Sequence, residues 1–112
     1  MSLLLKHKLI ELKTLKRIKC RKKRNKILKN ASNDLIECIV QCAYNVLSGK
    51  VHLSAKDKNK LKPYSTVIRK LAEMRDVKPT RKLLIQRGGF LPSLIAPVLT
   101  VAATLLSNLI TK

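Results

Sequence analysis

The chain has 112 residues, and its 25 Lys and Arg against 6 Asp and Glu give a formal net charge of +19. This length allows one small domain at most, and with one Phe, two Tyr and no Trp any core is built from Leu, Ile and Val. A charge of this size repels itself on compaction and calls for a polyanionic partner, which argues against an ordinary monomeric small-molecule enzyme.

The charge is segregated. Residues 1–30 carry a net +11, residues 31–87 a net +7, and residues 88–112 only Lys112. Three segments follow: a basic nucleic-acid-binding arm (1–30), a small helical domain (31–87), and a Gly-Gly junction with an apolar tail helix (88–112). The N-terminal order, Leu3 to Leu5 and then Lys6 and Lys8, does not support a secretory signal, which needs the basic residues first and a longer apolar run after them.

Along residues 3–18, Leu5, Leu9, Leu12, Leu15 and Ile18 recur at helical spacing among lysines and arginines, predicting a basic amphipathic helix. It runs into Lys19–Arg24, five basic residues of six around Cys20; such a run is usually solvated and often disordered until a polyanion neutralises it. The next helix is the clearest. Asn33 or Asp34 is placed to cap it, with Glu37 three residues after Asp34 as in a capping box. Leu35, Ile36, Ile39, Val40, Ala43, Val46 and Leu47 form its wide apolar face, and Gly49 follows as its C-terminal stop. Ser54 with Asp57 marks a further helix start, and Pro63 interrupts that segment or begins a new helix. Val67, Ile68, Leu71 and Met74 give another stripe. Pro79 suits the first turn of a short helix 79–87, which Gly88 and Gly89 end.

The segment from Phe90 to Ile110 has no charge, and at about 1.5 Å per residue it is just long enough to span a bilayer core. Ser93, Pro97, Thr100, Thr104, Ser107 and Thr111 make a weakly polar stripe opposite Leu94, Ile95, Val98, Leu99, Ala102, Leu105, Leu106 and Leu109. This pattern fits a small-residue packing face, a surface-lying membrane helix, or a buried core helix. No strand pattern persists, so the expected fold class is all-α.

The arm has the composition of a phosphate-binding element. With no aromatic stacking platform, sequence-independent contact with nucleic acid fits better than base readout. Its residues are Lys16, Arg17, Lys19, Arg21, Lys22, Lys23, Arg24, Lys26 and Lys29, with Arg21 to Arg24 at their centre. An anionic membrane is the main competitor, since a basic amphipathic helix binds lipid head groups by the same physics. The three cysteines, Cys20, Cys38 and Cys42, are an odd number and point to reduced thiols of a cytosolic or nuclear protein. Cys38 and Cys42 share a helix face. A zinc site needs four ligands, and Cys20, His7 and His52 stand at no recognised spacing, so small apolar core residues are the better reading of the pair. His52 reads as a surface histidine beside a loop. No nucleophile, base and acid assemble, and Gly88-Gly89 lacks the Walker spacing, so the chain reads as a non-enzyme with no cofactor and no metal.

The stretch Gln86-Arg87-Gly88-Gly89-Phe90-Leu91-Pro92-Ser93-Leu94-Ile95 resembles the precursor of adenovirus core peptide mu (protein X), a basic DNA-condensing peptide followed by Arg-Gly-Gly-Phe-Leu-Pro and an apolar tail. The whole chain also resembles a related small open reading frame of Polinton/Maverick elements and adintoviruses, on Ile27 to Ala31 and Gly88 to Leu91. The resemblance implies a minor virion core protein, or its transposon-encoded relative, that binds double-stranded DNA in the virion core and host nucleus. It also implies cleavage between Gly89 and Phe90 by a viral cysteine protease, at the site Gly88-Gly89-Phe90, and contact with capsid proteins. Gln86 stands where that protease prefers Met, Ile or Leu.

Two other readings stay open. One is a membrane-associated or membrane-disrupting protein whose tail (Phe90, Leu91, Leu94, Ile95, Val98, Leu99, Leu105, Leu106 and Leu109) enters the bilayer. The other is a small helical interaction protein whose tail closes its own core.

Overall fold

The computed structural model describes residues 8–100, and the fold is all-α, with no strand among the described residues. The elements are α1 (Leu9–Arg17), α2 (Arg21–Asn30), α3 (Asn33–Leu47), α4 (Ala55–Leu61), a 3₁₀ turn (Lys62–Tyr64), α5 (Ser65–Glu73), α6 (Val77–Arg87), a second 3₁₀ turn (Gly88–Phe90) and α7 (91–100).

The helix α3 is the hub. It packs most extensively on α5 and also against α6, while α6 in turn packs on α2. Its inward face carries Leu35, Ile36, Cys38, Ile39, Cys42 and Ala43, all buried. Leu47, at the end of the same stripe, is instead 46% exposed. The N-cap of α3 is Ser32 rather than Asn33 or Asp34: the Leu35 N–H donates to Ser32 Oγ at 3.2 Å. The serine is in extended conformation and its short hydroxyl reaches back onto the first turn, whereas Asn33 is already helical. At the other end Gly49 adopts φ 80°, and the Lys50 and Val51 N–H groups both donate to the Asn45 carbonyl. The predicted glycine stop is therefore present. Ser54 caps α4 as expected, accepting from the Asp57 N–H at 3.1 Å. Pro63 falls in the 3₁₀ turn that joins α4 to α5.

Two expectations need correction. The basic run at Lys19–Arg24 is not an irregular segment, since α2 begins inside it at Arg21. Lys and Arg are good helix formers, and the helix has an inward face in Arg24 and Leu28, both buried. The Gly88-Gly89 pair ends the α-helical hydrogen bonding of α6 at Arg87 but does not break the helical path. The backbone tightens to 3₁₀ over Gly88–Phe90 and continues, so α6 and α7 form one helical rod, Val77–Thr100. Neither glycine has a positive φ.

One core runs through all three charge segments. Leu12 and Leu15 of α1 and Leu28 of α2 belong to it, and so do Phe90, Leu91, Leu94, Ile95, Val98 and Leu99. At about 1.5–3 kcal/mol for each fully buried large apolar side chain, the α7 face contributes as heavily as any element. Phe90 lies beneath the ring of Tyr64, the centroids 5.9 Å apart and the planes tilted by 39°. The rod Val77–Thr100 is long and apolar enough to cross a membrane by length and composition, and half of its most apolar stretch is buried inside the fold. Leu5, Leu105, Leu106 and Leu109 lie outside the described residues.

Candidate nucleic-acid interface

Of the nine cations assigned to nucleic acid, eight are exposed: Lys16 and Arg17 on α1, Lys19 between the helices, and Arg21, Lys22, Lys23, Lys26 and Lys29 on α2. Lys13 of α1 is exposed beside them. Their position follows from the two buried stripes. With Leu12 and Leu15 turned into the core on α1, Arg24 and Leu28 on α2, and Leu9 and Ile27 packed at the core's edge, most of the remaining positions of both helices face water. The only acidic residue of this segment, Glu11, is held by the Lys8 ammonium at 3.1 Å, and this is the only salt bridge among the described residues. The cations of α1 and α2 therefore present an uncompensated positive surface of the kind that holds phosphates.

Arg24 is the exception. It is only 7% exposed, and its Nε has no hydrogen-bond partner. The side chain packs toward the second 3₁₀ turn: a Cβ placed on Gly88 would lie 3.5 Å from Arg24 Nε and 3.3 Å from Leu91 Cδ1. Gly88 thus gives the arginine its room. The sequence shows Arg24 as one cation among four, and only the tail folding back over α2 sets it apart.

Arg81 is a second guanidinium whose place the sequence does not reveal. Its Nη1 donates to the Leu28 carbonyl at 2.7 Å and the Ala31 carbonyl at 2.6 Å, and its Nη2 donates to Asn33 Oδ1 at 3.2 Å. It satisfies the carbonyls that the end of α2 leaves open and ties the α2–α3 turn to α6. Half-buried and held by three hydrogen bonds, it belongs to the scaffold of the basic surface.

The cysteines separate in the same way. Cys20 is exposed at the N-cap of α2, where the backbone N–H groups of Lys23 and Lys22 face its sulfur without closing a formal cap. Those amides, with the neighbouring Lys23 and Arg24 charges, hold the thiol below its ordinary pKa. Cys38 and Cys42 are buried on α3 as core residues. The hydrogen bond between them, together with burial, pushes the Cys42 thiol well up. Among the described residues, no group of three or more His, Cys, Asp or Glu is placed to hold a metal. His52 is exposed.

At the proposed cleavage site Gly88 and Phe90 are buried and Gly89 is exposed. The apolar residues of the tail that are described, Phe90, Leu91, Leu94, Ile95, Val98 and Leu99, all lie in the core. Further cations, Lys56, Lys58, Lys60, Lys62, Arg69, Lys70, Lys78 and Lys82, are exposed on α4, the first 3₁₀ turn, α5 and α6.

No family model matches the chain, and neither does any curated protein or solved structure.

Proposed function

We propose that the chain is a non-enzymatic, sequence-independent DNA-binding protein that holds the phosphate backbone through the exposed cations of α1 and α2. In the setting its sequence resemblance implies, this is a minor core protein of a virion, or the transposon-encoded relative of one, with packaged double-stranded DNA as its polyanion. The single observation that carries the reading is the set of exposed lysines and arginines between Lys13 and Lys29, Arg24 excepted, with the carboxylate of Glu11 already taken by Lys8. Phosphates are the ligands that such a surface neutralises, and the counterions released on contact supply the affinity.

A second reading, the small helical interaction protein, draws on the burial of Phe90 to Leu99 in the core. The membrane reading draws on the length and apolar character of Val77–Thr100.

Titration of the full chain with labelled duplexes of unrelated sequence, at several salt concentrations, tests the proposal. The expected result is equal affinity for the different sequences and a steep linear fall of log K with log salt. Charge reversal at Lys22 and Lys23 should reduce that slope by about one for each phosphate no longer neutralised. Absence of binding at low salt, or binding that salt does not change, overturns the reading.

A further inference from the structure

Away from the α1–α2 surface, the C-terminal end of α3, the loop 48–54, α4 and the start of α5 enclose an open groove of about 460 Å³. Its apolar lining comes from Val46, Leu47, Leu53, Leu61 and Ile68. Leu61 and Ile68 are buried, Val46 and Leu53 are half-buried, and Leu47 stands 46% exposed at the edge. The polar rim is Lys58, Asn59, Lys62 and Ser65, and no carboxylate lines the groove. Lys58 and Lys62 are exposed and stand four residues apart, one turn along the α4 rod and its 3₁₀ extension. The segment 48–64 around them carries five lysines against Asp57.

We infer that this groove docks an acidic amphipathic helix of a partner protein. Two features of the surface must be met together. The apolar floor takes side chains that project at helical spacing, three or four residues apart. The lysines at its edge, without carboxylate partners of their own, take carboxylates that flank those anchors. A nucleic acid satisfies Lys58 and Lys62 but brings no side chain to cover Leu47. A basic partner is repelled by the rim and by the whole +19 chain.

The test uses the full chain and a synthetic labelled peptide with leucines at alternating three- and four-residue spacing and glutamates on their flanks, read by fluorescence anisotropy. A shuffled peptide of the same composition is the control for simple charge attraction. The patterned peptide should bind at least about tenfold more tightly than the shuffled one. Leu47→Asp, a change at an exposed position, and the pair Lys58→Glu with Lys62→Glu should each weaken it by a similar factor. Leu47→Asp should leave duplex DNA affinity within about twofold, and Lys22→Glu with Lys23→Glu should weaken DNA more than the peptide. Equal binding of the two peptides overturns the inference, as does an unchanged affinity in Leu47→Asp. Failure of the patterned peptide to bind, with capture of decanoate or phosphatidylglycerol vesicles that Leu47→Asp abolishes, overturns it in favour of a lipid occupant.

Discussion

Arg81 donates a hydrogen bond of 2.7 Å to the carbonyl of Leu28, a residue 53 positions earlier in the chain. The same nitrogen reaches the Ala31 carbonyl, and the guanidinium fork also takes Asn33 Oδ1. One planar group thus closes the end of α2 and fixes the direction in which α3 leaves it. The basic surface depends on this link, because α2 is held to the fold by α6.

Replacing Arg81 with Met keeps most of the apolar stem and removes all three hydrogen bonds. The expected cost is about 2–3 kcal/mol in urea unfolding, since partly buried carbonyls lose a charged donor. Arg81→Lys should recover only part of it, because an ammonium does not reproduce the fork. A Met variant as stable as the native chain would show that water replaces the guanidinium without cost.

The glycines divide by backbone conformation. Gly89 is helical, with open space around the position of a Cβ, so Gly89→Ala should raise stability by about 0.5–1 kcal/mol. Gly49 sits at φ 80°, and Gly49→Ala should lower stability by about 1–2 kcal/mol although nothing crowds the site. Opposite shifts in melting temperature are the readout.

Cleavage between Gly89 and Phe90 meets a folded obstacle. A protease binds its substrate in extended form, whereas this bond lies in a 3₁₀ turn and Phe90 is fully buried beneath Tyr64. Cutting the folded chain therefore requires local unfolding, and its rate should rise in step with subdenaturing urea. A chain ending at Gly89 lacks Phe90, Leu91, Leu94, Ile95 and Val98 of the core, and should lose its cooperative thermal transition. A fragment 1–89 that melts like the full chain would show that α7 is dispensable.

Thiol chemistry should separate the three cysteines. Cys20 should react with iodoacetamide first, at a pH below that of a free cysteine, while Cys38 and Cys42 should wait for unfolding. Bound duplex DNA should slow the Cys20 reaction, since Lys22 and Lys23 adjoin it. The stability effects have opposite signs. The lowered pKa of Cys20 contributes above the ordinary thiol range and is lost as pH falls through the folded value. The raised pKa of Cys42 contributes fully below that range and is lost as pH rises through the folded value. Urea unfolding over a pH series reads the two stability effects, mass analysis of alkylated peptides reads the order of reaction, and equal labelling of all three cysteines in the native chain contradicts the burial pattern.

Lys23 and Arg24 are neighbours in sequence with opposite surroundings. Lys23→Gln should weaken DNA binding and lower its salt slope by about one. Arg24→Met should leave the slope unchanged and raise stability by about 1 kcal/mol, because it replaces a buried guanidinium that has no carboxylate partner with an apolar chain of similar length. A slope change in Arg24→Met would mean that the side chain turns outward to meet phosphate.

The all-α class, the Gly49 stop, the Ser54 cap and the inward stripes of α1, α3 and α5 were legible in the sequence. They depend on residues within a few positions of one another: apolar side chains at helical spacing, a hydroxyl three residues before an open amide, a glycine where φ turns positive. The exposed cations of α1 and α2 were legible for the same reason, since burying a leucine stripe leaves the other positions to water. What α7 covers was not legible. An uncharged helix with a weak polar stripe suits a bilayer, a partner or its own core equally well by pattern, and only the tertiary structure shows residues 90–99 packed on the core that α1 and α2 share. The same packing turns Arg24 inward, makes Gly88 a point of close approach as well as the end of α6, and shields Phe90. Each of these depends on packing between residues far apart in the chain, which no local spacing encodes.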